Sequence, residues 1–174
     1  MAFIKMPKPR NLAFIGVWLV IAAVSVAIPI AYAKWKKAHN LGGVPLSFDA
    51  TDELLSTEAV AGFAEGCGLR VHRISDQTAQ RIRAEGLSFL SKAKTGRDGG
   101  RYYNYGPWSA TPPGHHELVL RGLACVPLEN PNEAVLAKAI EHATNSSGSF
   151  YATGREYDIV VIPSLGVVVV SFSG

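Results

Sequence analysis

Few residues in this chain have a type and spacing that could do chemistry. Cys67 and Cys125 are the only cysteines. In an exported domain two thiols are most simply a disulfide. Closing a loop of that length would stabilise the folded state by about 4 kcal/mol, through freedom removed from the unfolded chain. In a cytosolic domain the same pair would be two buried free thiols. Cys67 lies between Gly66 and Gly68, yet no histidine stands at a spacing that would activate it as a nucleophile.

His115, His116 and Glu117 are weak candidates for metal ligands, since residues 115 and 117 share a face if a strand begins there. A zinc site needs three or four ligands, and His39, His72 and His142 are scattered. No His-Glu-x-x-His pair occurs. Ser164 lacks the Gly-x-Ser-x-Gly frame of a nucleophile elbow, and Gly96, Gly99 and Gly100 are not followed by Gly-Lys-Ser/Thr. Asn145-Ser146-Ser147 is a glycosylation sequon in form, with meaning only on a eukaryotic secretory route. These observations point to no catalytic residue, no metal and no cofactor, and they lean away from an enzyme.

The segment from Thr95 to His116 offers binding chemistry instead. It holds five Gly, three Pro and the aromatics Tyr102, Tyr103, Tyr105 and Trp108, with Arg97 and Arg101 beside them. Exposed Tyr and Trp supply contact area with a polar tip, suited to protein partners, sugars or a membrane interface. Arginines there would pair with an acidic or phosphate-bearing partner. The alternative is that the same rings fold down as a mini-core over one sheet face.

Elements must position these residues, and the first is an anchor. From Leu12 to Ala33 no side chain is charged. As a helix the run spans about 33 Å, enough for a bilayer core. Lys5, Lys8 and Arg10 precede it, Lys34, Lys36 and Lys37 follow it, and Tyr32 and Trp35 stand at its end like an aromatic belt. With both flanks basic, the N-terminal amine places Met1 inside and the following domain outside, in a periplasmic or extracellular space. Ala31-Tyr32-Ala33 has the small-x-small form of a signal-peptidase site, with Pro29 expected to break the helix just before it. The length of the run and the lysines after the site favour an uncleaved anchor.

Beyond His39 the chain carries 11 Lys+Arg against 14 Asp+Glu, a balance that excludes a typical nucleic-acid binder. The charges come in blocks: five acids and no bases over 41–69, eight bases and three acids over 70–101, three bases and six acids over 102–174.

The sequence divides into an N-terminal flank (1–11), a transmembrane anchor (12–33), a juxtamembrane linker (34–48) and one soluble domain (49–174). Gly42, Gly43 and Pro45 suggest the linker. Within the domain we expect a helix over 52–65, a strand over 69–74, a helix over 77–94 capped by Ser75 or Asp76, and a strand over 117–126. Asn130-Pro131-Asn132-Glu133 opens a further helix, with Asn130 as cap and Glu133 able to reach back to it. Strands over 150–152, 157–162 and 167–172 end the chain, the last two forming a β-hairpin apolar on both faces and therefore central. The fold class is α+β: a single transmembrane helix followed by one small mixed α/β domain.

The sequence therefore predicts a single-pass, signal-anchored membrane protein, a non-enzymatic accessory or assembly subunit. Its partners would be membrane lipid and a membrane or periplasmic protein assembly. The alternatives are a cell-wall polysaccharide-binding domain or a membrane-tethered hydrolase near His115, His116 and Glu117.

Overall fold

The computed structural model describes residues 9–61, 65–99, 103–112, 122, 125, 128 and 130–173. It divides into two compact units, one ending at His39 and one beginning at Asn40.

The first unit is a helix, α1 (Pro9–Asn40). Over Gly16–Asn40 its mean hydropathy is 2.1 and none of its most apolar window is buried by protein, so one helix is apolar and long enough to cross a membrane. It runs straight through Pro29, so that proline does not end the helix as expected. In a helix exposed on its sides, a single lost amide bond interrupts one turn without displacing packed neighbours. Near its end Trp35 stacks on His39, with ring centroids 5.4 Å apart.

The second unit is α+β: a six-stranded antiparallel sheet with helices. The strands are β1 (Glu53–Ala61), β2 (Glu65–Arg73), β3 (Ser109–Ala110), β4 (Phe150–Thr153), β5 (Tyr157–Ile162) and β6 (Val167–Ser173), in spatial order β1-β2-β6-β5-β4-β3. The apolar C-terminal hairpin is central: β6 lies between β2 and β5, with Val168 opposite both His72 and Val161. The helices described in full are α2 (Asp76–Glu85), α3 (Leu87–Leu90) and α4 (Pro131–Thr144).

Two expectations are corrected. Residues 53–61 form β1, not a helix. Leu55 and Thr57 alternate inward with exposed Ser56 and Glu58, and the adjacent β2 supplies a full antiparallel partner from His72 to Glu65. Pairing between neighbours in sequence overrides the helix preference of Leu and Glu. The 77–94 helix breaks at Gly86, whose φ of +54° ends α2 and turns the chain into the single turn of α3. Only glycine adopts that angle without strain.

The caps follow the sequence. Ser75 Oγ accepts the Thr78 amide, and Asn130 Oδ1 accepts the Asn132 amide at 2.9 Å, with Pro131 in the first turn of α4.

Each face of the sheet has its own core. On one, Ile159, Val161, Val168 and Val170 pack beneath Ala79 and Ile82 of α2, Phe89 and Leu90 of α3, and Leu41, Val44 and Phe48. The stretch Leu41–Pro45 is therefore buried in the domain and is not a free linker. On the other face, Leu55, Leu69, Val71, Val160, Ile162, Val167 and Val169 meet Ile140 of α4.

The expected strand over 117–126 falls mostly outside the described residues, and the two positions described within it, Gly122 and Cys125, are helical rather than extended. Gly122, which is described, is pressed onto β2: its amide donates to Ser171 Oγ, and a Cβ there would meet the Gly68 carbonyl oxygen at 2.0 Å. Three residues on, Cys125 is bridged to Cys67, with Cα atoms 6.0 Å apart. The disulfide exists, and it suits an oxidising compartment.

Candidate functional site

The segment 94–108 becomes a site through a short antiparallel pairing. Thr95 bridges Asn104, the Gly96 amide donates to Tyr103 O, and the Tyr105 amide donates to Lys94 O at 2.8 Å. On its other side the Gly106 amide donates to Thr153 O at the end of β4. This places residues 105–108 beside α3, and a cleft of about 380 Å³ opens between them. Its walls are Leu87 and Ser91 on the α3 side, Lys94 below, and Tyr105, Gly106, Pro107 and Trp108 opposite.

Three of the four polar side chains of these walls are already committed to the fold. The Tyr105 hydroxyl donates to Gly43 O at 2.7 Å, and the Trp108 indole N–H donates to Ala93 O at 2.9 Å. Ser91 Oγ donates to Ser88 O. The rings turn their polar tips inward and leave carbon towards the opening. Burial pushes the Tyr105 hydroxyl pKa well above its ordinary value, so that tip is a neutral donor. Leu87, 44 % exposed, forms an apolar rim, and Lys94 is the one charged residue of the lining.

Of the two readings of the aromatic segment, the described rings follow the one in which they fold down onto the domain. Tyr103, Tyr105 and Trp108 are 9 %, 5 % and 8 % exposed and belong to the protein interior. They fold down because Phe48 receives Trp108 edge-on at 5.7 Å, and Tyr157 receives Tyr103 at 4.5 Å. Arg97 is also turned to the fold, donating from Nη2 to Ala50 O at 2.8 Å. Tyr102 and Arg101 lie outside the described residues, as do His115, His116 and Glu117. Among the described residues no group of three His, Cys, Asp or Glu could hold a metal ion.

Two further polar clusters are carried by β2. Arg70 lies 5.4 Å over the Phe172 ring and reaches Glu58 at 3.5 Å. Nearby, burial first and the neighbouring Tyr157 second push the Tyr103 hydroxyl up to about 12. His72 is 1 % exposed, with Nε2 at 3.0 Å from Asn40 O. A carbonyl only accepts, so Nε2 carries the proton and Nδ1 is the bare, buried nitrogen with no partner among the described residues. Burial lowers the His72 pKa, against the opposing pull of Glu53.

Sequence reasoning singled out the ring-bearing side of the cleft and missed Leu87, Ser91 and Lys94. They carry no motif, and it takes the break at Gly86 to bring Leu87 to the rim.

No family model, no curated protein and no solved structure matches the chain.

Proposed function

We propose that this chain is a membrane-anchored, non-enzymatic subunit whose domain lies outside the membrane and binds a partner protein through the cleft between α3 and residues 105–108. The carrying observation is the lining itself: carbon from Leu87, Pro107, Tyr105 and Trp108, with one lysine and no acid, base or nucleophile set up for a reaction. A rigid apolar recess of this kind receives an anchoring side chain from a protein partner. The apolar helix supports a membrane location, and the Cys67–Cys125 bridge supports a domain facing an oxidising space, with Met1 on the other side.

A glycan reading has less behind it. Stacking platforms need open ring faces, and the three described rings of the aromatic segment are buried. The test is extraction of the tagged full chain in mild detergent and identification of what co-purifies. A stoichiometric partner retained by wild type and lost with Leu87→Asp is the expected result. Recovery of wild type alone overturns the proposal.

A further inference from the structure

The basic side chains of residues 81–97 are not equivalent. Arg81 is paired with Glu85 at 3.2 Å and stacks 4.7 Å over the Phe89 ring. Arg83 donates to Pro163 O, and Arg97 to Ala50 O. Each of these arginines is already engaged by the fold. Lys94, by contrast, is exposed, lines the cleft, and makes no ion pair among the described residues. No carboxylate lines the cleft with it.

The side-chain hydrogen-bonding capacity of the opening is narrow. The Tyr105 hydroxyl, the Trp108 indole N–H and the Ser91 hydroxyl proton all have acceptors within the protein. Among the side chains of the lining this leaves the Lys94 ammonium as donor and the Ser91 oxygen as acceptor. A sugar presents hydroxyls around its whole ring, and these two side chains can pair only a few of them. An apolar group with a single anionic head loses nothing of that kind. The volume, about 380 Å³, is near the lower end of ligand pockets, which suits one large side chain and its terminal group rather than a folded surface.

We infer that the cleft recognises an apolar side chain bearing an adjacent carboxylate, as at the end of a protein chain or beside an acidic residue. The apolar part lies against Leu87, Pro107 and the carbon faces of Tyr105 and Trp108, and the carboxylate meets Lys94. This rests on the partner-binding reading above and names the chemistry of the partner. The anion supplies selectivity more than strength, because Lys94 is solvated and the pair is screened by salt.

The experiment uses the full chain in detergent micelles, with N-acetyl-phenylalanine and its uncharged amide as probes, followed through the backbone resonances of Leu87, Ser91 and Trp108. Both probes are expected to shift these signals, the acid binding roughly two- to fivefold more tightly at low salt, as one exposed ion pair allows. Lys94→Gln or high salt should remove the difference between the probes. Ser91→Tyr, at an exposed position, should block both. Equal affinity of acid and amide for wild type overturns the inference, as do shifts confined to residues away from the cleft. A co-purifying partner undiminished by Ser91→Tyr also overturns it while leaving the subunit reading intact. Acid-selective shifts without any co-purifying protein support the ligand class and remove the subunit reading instead.

Discussion

Removing the Cys67–Cys125 bridge by the double substitution Cys67→Ala/Cys125→Ala should cost a large share of the domain's stability. The two cysteines are 58 residues apart in sequence. In the chain-entropy treatment a closed loop of that length lowers the entropy of the unfolded state by about 14 cal/mol/K, or about 4 kcal/mol at 25 °C. A domain of ordinary stability has roughly 5–15 kcal/mol in total. At about 3 °C per kcal/mol for a domain of this size, the melting temperature should fall by roughly 10–15 °C. The assay is denaturant and thermal unfolding of the full chain in micelles, comparing oxidised wild type, wild type reduced with dithiothreitol, and the double variant. The last two should coincide, and both should show a larger denaturant slope because their unfolded chain is more open. A loss below about 1 kcal/mol would refute the reasoning, since it would mean the unfolded chain keeps residues 67 and 125 together without the bond.

Other consequences can be measured alongside. His72 has a folded pKa depressed below 6.5 by burial, so the unfolded chain binds the extra proton first. Its contribution is therefore present above 6.5 and lost as the pH falls through the folded value, with a slope of at most about 1.4 kcal/mol per pH unit. Urea unfolding between about pH 5 and 7 should show that slope, and His72→Phe should flatten it. Tyr103 behaves in the opposite sense: with its folded pKa pushed up to about 12, it keeps its proton in the folded protein while exposed tyrosines ionise. Tyrosinate absorbance should thus rise in two stages, the second lost in Tyr103→Phe. Gly122→Ala should cost at least about 1–3 kcal/mol in chemical unfolding, because the added carbon would meet Gly68 backbone at 2.0 Å with no flexible group to yield. Trp108→Ala should cost about 3–5 kcal/mol, whereas Trp108→Phe should cost about 1 kcal/mol for the lost bond to Ala93 O, both read from the same unfolding curves.

What was legible in the sequence was whatever local chemistry decides. The 22-residue uncharged run, the Asn130-Pro131 cap and the doubly apolar strands around Pro163–Gly166 each carry their own instruction, and each element lies where they point. What was not legible depends on partners distant in sequence. Leu54 and Leu55 among acids read as a helix face until β2 supplies the ladder that makes residues 53–61 a strand. Tyr103, Tyr105 and Trp108 look like contact surface in a Gly- and Pro-rich segment. Only the sheet face beneath and Phe48 above turn them inward. Leu87, Ser91 and Lys94 carry no motif, and they line an opening only after Gly86 has turned the chain.

The pairing of β2 with β6 bears on how the domain can be made. Glu65–Arg73 must wait for Val167–Ser173, almost a hundred positions later, before its second edge is occupied. In a chain that emerges N-terminus first, the β1–β2 ribbon spends most of synthesis as an unfinished sheet with an apolar side uncovered. Cys125 emerges well before β6 does, so oxidation to Cys67 gives the nascent domain a covalent long-range tie before its central strand exists. An oxidant and a holding factor acting on the nascent chain would thus matter most in that interval, before the central strand arrives.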